Sequence, residues 1–317
     1  MADISNSLVS IIIVTAGAKD YVLSCLDSVK KQSYPSVETI VIDNSSCLAL
    51  QSRILREFPF VRIYPGPEEL SYGEALNLGI EKSKGEHVLC LNDDVILSKD
   101  FIQNGLEGFN LNNRIGIVSG KVLRFEGRLI DSAGLFLTLW LTAGERGYGK
   151  INRGQFEKAG YIFGATGAVA FYRRSMLEEI KAGQDYFDPD FRFFYEDLDV
   201  SWRANNSGWK GYYLPSALAY HLRGGTVRME RMGISKKYAR LYLNDELYFE
   251  LVKNRYLAIA KNEKLTDFLF RLPLVIFYEI VVWVLIIFSR PKLLSRFFAA
   301  SFHLSSRLKR SSPEGHV

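Results

Sequence analysis

The chain has 317 residues, of which 40 are Lys or Arg and 35 are Asp or Glu, so its formal net charge is +5. This charge is too small to indicate a nucleic-acid-binding protein. A composition of 48% hydrophobic and 24% charged residues excludes wholesale disorder, a collagen-like repeat and a multi-span membrane protein. The excess positive charge lies entirely after Ser289, where six basic residues accompany one acid. We therefore expect one large globular domain with a basic C-terminal appendage and no nucleic-acid partner.

Apolar runs and helical periods alternate along the first 120 residues. The predicted strands are 9–14, 40–43, 61–64, 87–91 and 115–119, and the predicted helices between them are 21–29, 52–58, 73–84 and 101–111. Strands that alternate with helices of about 10 to 15 residues predict β-α-β units and a mostly parallel sheet. Ligands bind at the carboxyl ends of such strands, which is where Asp43 and Asp93 fall.

The pattern loosens after Lys121. Short β-prone pieces rich in glycine occupy residues 127–167, and a further strand is predicted over 212–220. The last part holds a helical stretch over 234–261, an apolar run over 272–288 and the basic tail. We therefore predict a main domain of residues 1–230 and a helical C-terminal region of residues 231–317.

The cysteines and the N-terminus bear on the compartment. Cys25, Cys47 and Cys90 lie in or beside apolar stretches, which predicts small buried side chains and neither a disulfide framework nor a zinc site. Residues 1–7 contain an acid and no base, and the apolar run that follows is too short for a secretory signal peptide. These features predict a protein of the reducing cytoplasm.

The triplet Asn92, Asp93 and Asp94 ends an apolar strand. Two adjacent carboxylates at a strand end can hold a hard divalent cation against a diphosphate. Asn and Asp are also the residues that end strands in ordinary turns, so a turn without a ligand is the alternative.

A second acidic cluster, Glu196, Asp197 and Asp199, follows three aromatic residues. Desolvation by such neighbours raises the pKa of a carboxyl group, as a general base requires. The alternative is that these acids cap a helix from about residue 198 to 206, because acids favour the positive end of the helix dipole. His221 ends the strand predicted over 212–220, beside Arg223, and is either a ligand or a buried structural histidine.

Taken in order, these segments resemble the family 2 inverting glycosyltransferases, which have the GT-A fold. The matching segments are residues 9–16, VIDNS at 41–45, SYGEALNLGI at 71–80, LNDDV at 91–95, GATGAVAFY at 164–172, FFYEDLDVSWR at 193–203 and PSALAYH at 215–221. Within the family the chain is most similar to bacterial rhamnosyltransferases that build lipid-linked polysaccharides of the O-antigen and cell wall. The resemblance covers roughly residues 8–260. It implies an α/β fold with a mostly parallel, Rossmann-like sheet flanked by helices, whose nucleotide-sugar half is about 1–120 and whose acceptor half is about 121–230.

The resemblance also implies a role for residues on the nucleotide side. Asp43 would bind the nucleobase or ribose of a nucleotide sugar, and Thr15 lies at the matching edge of the first strand. Gly73 and Asn77 would shape the loop and helix beside the nucleotide. Ala16 and Gly17 stand where the family usually has an aromatic residue and Asn, which is a departure from the pattern.

The reacting groups follow from the remaining motifs. Asp94 with Asp93 would hold Mg²⁺ or Mn²⁺ on the diphosphate, and His221 would be a further ligand. Asn92 replaces the first acid of the family's metal motif. The resemblance further implies that Asp197 is the catalytic base, that Glu196 flanks it, and that Arg203 steadies the diphosphate or the acceptor.

The implied activity is the transfer of L-rhamnose from dTDP-rhamnose to a hydroxyl of a lipid-linked or polysaccharide acceptor. Another donor is the first alternative: UDP-galactofuranose, UDP-GlcNAc or UDP-glucose. A nucleotidyltransferase is disfavoured because Ala16–Lys19 is too short and too weakly basic for the expected loop. A non-catalytic, membrane-associated subunit of polysaccharide assembly is the third alternative, which Asn92 and Ala16 leave open.

The apolar run 272–288 is near the lower limit for a membrane span and contains Pro273 and Glu279. Because an unpaired acid in mid-bilayer is costly, we expect insertion into one leaflet or docking on the surface. The stretch that follows is amphipathic, as in helices that bind anionic lipids. Its apolar face would hold Leu293, Phe297, Leu304 and Leu308, and its basic face Lys292, Arg296, Arg307 and Arg310. We expect a peripheral protein on the inner face of the cell membrane; the alternative is a helical hairpin packed on the main domain or forming a homo-oligomer interface.

Overall fold

The computed structural model describes residues 7–17, 21–67, 70–223 and 243–308. The strands are β1 Val9–Thr15, β2 Val37–Asp43, β3 Val61–Pro65, β4 His87–Asn92, β5 Val95–Leu97, β6 Ile115–Arg124, β7 Ile130–Ser132, β8 Leu135–Leu137, β9 Ala143–Glu145, β10 Gly160–Ile162, β11 Val169–Arg173 and β12 Lys210–His221. The helices are α1 Tyr21–Lys30, α2 Leu48–Glu57, α3 Tyr72–Glu81, α4 Phe101–Asn110, α5 Arg174–Glu179, α6 Glu196–Asn206, α7 Asp245–Asn262, α8 Leu265–Ser289 and α9 Leu293–Leu308.

One large sheet forms the centre of the molecule, with strand order β10-β12-β6-β11-β4-β1-β2-β3. Strands β3, β2, β1 and β4 run parallel, whereas β11 enters antiparallel between β4 and β6. Strand β12 returns parallel to β6, and the short strand β5 pairs with its far end. The expected α/β architecture is confirmed. The predicted parallel strands form one half of the sheet, and the other half contains both parallel and antiparallel pairs.

Helices cover both faces of this sheet. Side chains alternate along β1, so that Ile11 and Ile13 pack with α1, α2 and α4, while Ile12 and Val14 pack with α3, α5 and α6. All seven residues of β1 are buried, because a parallel strand between two helical layers has no solvent face. This explains why the strand has the sequence of a continuous apolar run.

The register of the parallel strands places polar residues at one edge. Thr15 pairs with Asp43 on β2, and Val14 pairs with Asn92 on β4. The carboxyl ends of β1, β2 and β4 therefore lie side by side, as the sequence predicts for the ligand-binding edge.

Several element limits differ from the predicted ones. The predicted helix 73–84 ends at Glu81, and the strand predicted over 115–119 continues to Arg124 because β12 and β7 pair with its second half. Cys25 and Cys90 are buried as expected, but Cys47 is exposed at the start of α2, so its predicted burial is wrong.

The C-terminal helices pack on the main domain. Helix α7 contacts α6, and the next helix, α8, begins at Leu265, before the predicted start of the apolar run. Glu279, which the sequence alone presents as an unpaired acid in an apolar run, accepts hydrogen bonds from Arg255 and Tyr256 of α7. The objection to a membrane span that rested on an unpaired acid therefore does not hold. The predicted boundary between residues 230 and 231 lies outside the described residues.

Helices α8 and α9 differ in their exposure. Among the described residues, one helix, α8, is both long enough and apolar enough to cross a membrane. Little of this helix is buried in the protein. Phe270 is 93% exposed and Phe277 70% exposed on this helix. In contrast, Leu293 and Phe297 of α9 are buried beside Phe249 of α7, so the first turns of α9 direct their apolar face at the protein and not outward. The prediction that these two side chains face a membrane is therefore wrong.

Candidate active site

The nucleotide-side residues meet at the ends of β1 and β2. Thr15 Oγ1 donates a hydrogen bond to Asp93 Oδ2 at 2.6 Å. The buried carboxylate of Asp43 accepts from the backbone N–H of Ser45 at 2.8 Å and from Gln51 Nε2 at 2.7 Å. Ser45 Oγ also donates to Asp43 Oδ1. A carboxylate oxygen has two lone pairs, so these bonds fix the orientation of Asp43 and leave acceptor capacity on Oδ2 alone. The structure thus brings Thr15, Asp43 and Asp93 together at one edge of the sheet.

Gly73 and Asn77 lie on α3, where they face a neighbouring loop. Asn77 Oδ1 accepts from the backbone N–H of Phe187 at 2.8 Å, and Asn77 Nδ2 donates to the Phe187 carbonyl at 2.7 Å. A Cβ atom at Gly73 would lie 3.3 Å from Phe187 Cβ. Both residues hold α3 against this loop, and their effect on a nucleotide pocket stays a prediction.

Gly17 explains one departure from the family pattern. Its φ angle is +69°, and a Cβ atom there would lie 2.4 Å from Ser45 Cβ. A side chain at this position would therefore clash and would strain the backbone. Glycine is required by the close approach of the segment after β1 to the segment after β2.

Asp94 and His221 converge from two different strands. His221 Nε2 lies 3.1 Å from Asp94 Oδ1, because His221 ends β12 opposite Val95, the first residue of β5. Burial raises the pKa of the neighbouring Asp93 to about 6, against the hydrogen bond from Thr15 and with the help of the Asp94 charge. Two of the three predicted metal ligands are thus in contact, and the third lies next to them in the sequence.

A further acid, Asp131 of β7, orients His221 and was missed by the sequence analysis. Its carboxylate is fully buried, with Oδ2 lying 2.8 Å from His221 Nδ1 and Oδ1 accepting from Arg223 Nε. Burial disfavours the charged imidazole, but the hydrogen bonds to Asp131 and Asp94 raise the pKa of His221 to about 9. Burial likewise opposes ionisation of Asp131, yet His221 and Arg223 lower its pKa to about 2.

The donor set fits an open site for a hard divalent cation. Within the described ranges, no three or more His, Cys, Asp or Glu side chains are grouped so that they could hold a metal ion by themselves. Mg²⁺ is typically held by one or two carboxylates plus phosphate oxygens and water, and Mn²⁺ also accepts imidazole. Asp94 and His221, with Asp93 beside them, supply this kind of partial shell.

Asp197 lies in the first turn of α6. Its Oδ2 accepts from the backbone N–H of Gly167 at 2.8 Å, and its Oδ1 accepts from the N–H of Leu198 at 2.7 Å. Burial raises the pKa of Asp197, and these two backbone donors oppose the rise. A partly desolvated, firmly oriented carboxylate is suited to accept a proton.

The turn before α6 is strained. Phe194 and Tyr195 have φ angles of 67° and 73°, in the left-handed region. For residues with a side chain this conformation costs about 1–2 kcal/mol each. The turn sends the chain into α6 so that the helix begins at Glu196, two residues before the predicted start.

Glu196 and Asp197 form an acidic pair at the start of α6. Glu196 Oε2 is buried and, within the described part of the chain, has no hydrogen-bond partner. Burial and the negative charge of Asp197 raise the pKa of Glu196 to about 8. The pair therefore favours carrying at least one proton near neutral pH.

The segment Gly167–Ala168 connects the acidic pair with the metal motif. The Gly167 N–H binds Asp197, and the Ala168 carbonyl accepts from the Asn92 N–H at 3.0 Å. Two consecutive residues thus carry Asp197 on one side and the Asn92–Asp94 turn on the other. The structure brings the predicted base and the predicted metal ligands to opposite sides of one short segment.

Arg203 is directed elsewhere. Its Nε donates to Asp199 Oδ2 at 2.8 Å, and its other nitrogens donate to the carbonyls of Ile180 and Tyr186. Asp199 is itself buried and accepts from Asn262 of α7. The described contacts of Arg203 therefore fix α6 and include none with Asp94 or His221.

Glu145, on β9, is a further buried acid that the sequence analysis did not single out. Burial raises its pKa to about 7, against hydrogen bonds from Ser132 and Thr166 and with the help of the Asp197 charge. Thr166 immediately precedes Gly167, so Glu145 lies beside the same segment. Nothing in the local sequence distinguishes this acid from the other polar residues of its glycine-rich stretch.

Solved structures of glycosyltransferases share the fold. A mannosyltransferase from Pyrobaculum calidifontis in complex with GDP-Man and Mn²⁺ has a TM-score of 0.51 and 16% identity, over 93% of this chain and 84% of that chain. GalNAc-T7 with UDP, GalNAc and Mn²⁺ has a TM-score of 0.56 and 16% identity, over 81% of this chain and 52% of that chain. S. aureus TarS has a TM-score of 0.51 and 17% identity, over 91% of this chain and 74% of that chain. The implied GT-A-like fold is thereby confirmed.

Curated relatives are similar in sequence. A poly-beta-1,6-N-acetyl-D-glucosamine synthase from Staphylococcus epidermidis is 26% identical over 226 residues, which are 69% of this chain and 51% of the relative. The synthase of Staphylococcus aureus strain MSSA476 is 25% identical over 208 residues, 64% of this chain and 47% of the relative. The chain spans about half the length of the curated relatives it matches.

The family model described as Glycosyl transferase family 2 matches residues 10–181, more than half of the chain. The match includes β1, the Asn92–Asp94 turn and the Gly167–Ala168 segment, and it ends before α6. The chain therefore belongs to glycosyl transferase family 2.

Proposed function

We propose that the chain is an inverting glycosyltransferase that moves a sugar from a nucleotide sugar to an acceptor hydroxyl, with Asp197 as the base. One observation carries this proposal: the Gly167–Ala168 segment binds Asp197 on one side and the Asn92–Asp94 turn on the other. A proton acceptor and a site for the leaving diphosphate are the two groups that a single displacement at an anomeric carbon needs.

The chain's own residues perform the proton transfer. Asp197 takes the proton of the acceptor hydroxyl while the hydroxyl oxygen forms its bond to the anomeric carbon. The bond from that carbon to the nucleoside diphosphate breaks on the opposite face, so the configuration inverts. The backbone N–H groups of Gly167 and Leu198 hold the Asp197 carboxylate in place during this step. No covalent enzyme intermediate forms.

The proposal includes Mg²⁺ or Mn²⁺ as cofactor. Asp94 and His221 would hold the cation, with Asp93 beside them, and the donor types of these residues support the assignment. When bound, the cation neutralises charge on the departing diphosphate. Two of the similar solved structures were determined with Mn²⁺, which also supports a divalent cation as cofactor.

For the donor we propose UDP-GlcNAc. The sequence resemblance implied dTDP-rhamnose, with UDP-GlcNAc among the alternatives. The curated relatives described above are named for N-acetyl-D-glucosamine, which supports that alternative and gives no support to rhamnose. Thr15, Asp43, Gly73 and Asn77 remain the proposed determinants of the nucleotide side.

For the acceptor we propose a growing polysaccharide or a lipid-linked sugar at the inner face of the cell membrane. The exposed apolar side chains of α8 support a membrane location, whereas Leu293 and Phe297 of α9 pack on α7 and take no part in the proposed membrane contact. We retain the division into residues 1–230 and 231–317 as part of this proposal. A homo-oligomer formed through α8 is the competing use of the same surface.

The direct test is a transfer assay with purified full-length chain and Mn²⁺. UDP-GlcNAc, UDP-glucose, UDP-galactofuranose and dTDP-rhamnose are compared for transfer and for thermal stabilisation, because a ligand of the native state raises its stability. We expect UDP-GlcNAc to stabilise and to be consumed, and Asp197→Asn to bind the donor without transferring. Absence of transfer and hydrolysis with every donor would favour the non-catalytic alternative, and normal turnover by Asp197→Asn would remove the base assignment.

A further inference from the structure

One buried amide of helix α7 contacts the turn that precedes the acidic pair. Asn254 is 0% exposed. Its Nδ2 donates to the carbonyl of Phe193 at 2.7 Å and to the carbonyl of Phe194 at 3.1 Å. The contact joins two segments separated by about sixty positions in the chain, and it lies outside the residues matched by the family model.

The turn that Asn254 contacts has an unfavourable backbone. Phe194 and Tyr195 are consecutive left-handed residues, and neither is Gly or Asn, the types that adopt this region readily. Such a conformation persists only where surrounding contacts determine it. A side chain that donates to two successive carbonyls of the turn provides such contacts.

The hydrogen bonds that orient the side-chain amide of Asn254 are those donated by Nδ2. Asn254 Oδ1 is buried and has no hydrogen-bond partner among the residues that the structure describes. An unpaired buried acceptor lowers stability, so a residue present only for packing would avoid it. Asn254 therefore donates both N–H groups of Nδ2 to the turn, although its buried Oδ1 lowers the stability of the folded protein.

The helix that carries Asn254 is held on its other side. The next residue, Arg255, forms an ion pair with Glu279 of α8 and donates to the carbonyl of Trp140 at 2.6 Å. These contacts fix the position of α7 relative to the β8–β9 hairpin and α8. Asn254 therefore meets the turn from a rigid support.

We propose that Asn254 is a positioning residue of the transfer reaction, whose amide keeps the Phe193–Tyr195 turn left-handed and so aims Asp197 at the acceptor hydroxyl. The inference rests on the proposed base role of Asp197. It adds a residue that touches no substrate and acts through the backbone of the turn. Without the amide, the turn relaxes toward the right-handed region and the start of α6 moves with it.

The test compares Asn254→Ala with Asn206→Ala. Asn206 is a matched control, because its Nδ2 also joins α6 to α7, donating to the Asn262 carbonyl at 2.8 Å at the far end of α6. We expect Asn254→Ala to lower kcat about 10- to 100-fold, since misplacement of a reacting group by about 1 Å costs this much. The donor KM and Kd stay within about threefold of wild type, because the described hydrogen bonds of Asn254 go to the turn before α6 and not to Thr15, Asp43 or Asp94. Asn206→Ala keeps the wild-type kcat.

A second measurement separates positioning from loss of folding. Hydrogen exchange of the peptide over residues 190–200 accelerates in Asn254→Ala while the sheet strands keep their protection. If Asn254→Ala gives no folded protein, Asn254→Ser, which retains one hydroxyl donor, is measured instead and shows an intermediate loss of kcat. Wild-type kcat together with unchanged exchange in folded Asn254→Ala would overturn the proposal.

The same series keeps the two proposals distinguishable. If Asp197→Asn is inactive and Asn206→Ala loses as much kcat as Asn254→Ala, the base role of Asp197 is retained and the special role of Asn254 is contradicted. A fully active Asp197→Asn would contradict the base role, and the exchange measurement would still report whether Asn254 holds the turn.

Discussion

Asp131 and His221 form a buried pair in which Oδ2 of the acid lies 2.8 Å from Nδ1 of the imidazole. The contact directs the other ring nitrogen, Nε2, at Asp94. Metal-binding histidines commonly place the second ring nitrogen against a carboxylate in this way, which fixes the ring and its tautomer. Asp131 thus supports the proposed cation site by holding the imidazole of His221, without facing the cation itself.

Replacing Asp131 should weaken metal binding. We expect Asp131→Asn to lower Mn²⁺ affinity by about 10- to 100-fold, the usual effect of losing the partner of a metal-binding histidine. The measurement is Mn²⁺ titration by electron paramagnetic resonance in the presence of UDP, with thermal unfolding to confirm the fold. Asp100→Asn, at an exposed acid before α4, is the control and should bind as wild type. Equal affinities in the two variants would remove Asp131 from the site.

Chelation should abolish transfer reversibly. Asp93 and Asp94 present negative charge where the diphosphate is proposed to bind, so the nucleotide sugar is repelled unless a cation lies between them. We expect EDTA to stop transfer and added Mn²⁺ or Mg²⁺ to restore it. The check is a transfer assay across a titration of each metal after dialysis. Full turnover in excess EDTA would contradict the metal assignment.

The sequence predicted the strand-end residues because their positions follow from local periodicity. An apolar run such as 9–14 must be a buried strand, and in a parallel sheet its polar successor lies at the ligand-binding edge. Asp43 and Asp93 could therefore be assigned to one edge before any coordinates, and the family resemblance added Thr15. The position of Asp197 at a helix start also follows from the local sequence, although the alternatives of capping and catalysis remained open.

The supporting residues could not be predicted in this way. Asp131 contacts His221 and Asn254 contacts Phe194 across long stretches of sequence, so the pairing depends on how the sheet and α7 come together. Arg203 shows the converse case, because its motif suggested a substrate contact but tertiary packing directs its guanidinium to Asp199 and two carbonyls. Local patterns specify elements, whereas these contacts arise only from the packed arrangement.

The stability of the protein should depend on pH through Glu196. Its pKa is about 8 in the folded chain against an ordinary value of 4.5, so the folded state retains a proton that the unfolded state loses. This contribution is fully present below the ordinary value and is lost as the pH rises through about 8. Glu196→Gln carries no titrating proton, so its melting temperature should exceed that of wild type increasingly from about pH 5 to about pH 9. Differential scanning fluorimetry across this range makes the measurement.

The control for this experiment is Glu107→Gln, at an exposed acid on α4. This substitution makes the same chemical change at the surface of the protein, so its melting temperatures at each pH give the baseline for Glu196→Gln. A constant difference for Glu196→Gln against this baseline would mean that Glu196 is solvated in the folded protein.

The exposed face of α8 should mediate membrane binding. Phe270 and Phe277 lie seven residues apart, on the same side of the helix, and are 93% and 70% exposed, so replacing them removes little packing within the protein. Each phenyl ring that enters lipid contributes about 2 kcal/mol, so we expect Phe270→Ser/Phe277→Ser to lower liposome binding at least about tenfold. Co-sedimentation with vesicles containing anionic lipid measures the bound fraction. The matched control is Leu111→Ser/Phe125→Ser, which removes two exposed apolar side chains of the main domain. If the α8 variant binds vesicles as the control does, but elutes as a smaller particle than wild type in size-exclusion chromatography, α8 forms a homo-oligomer interface instead of a membrane contact.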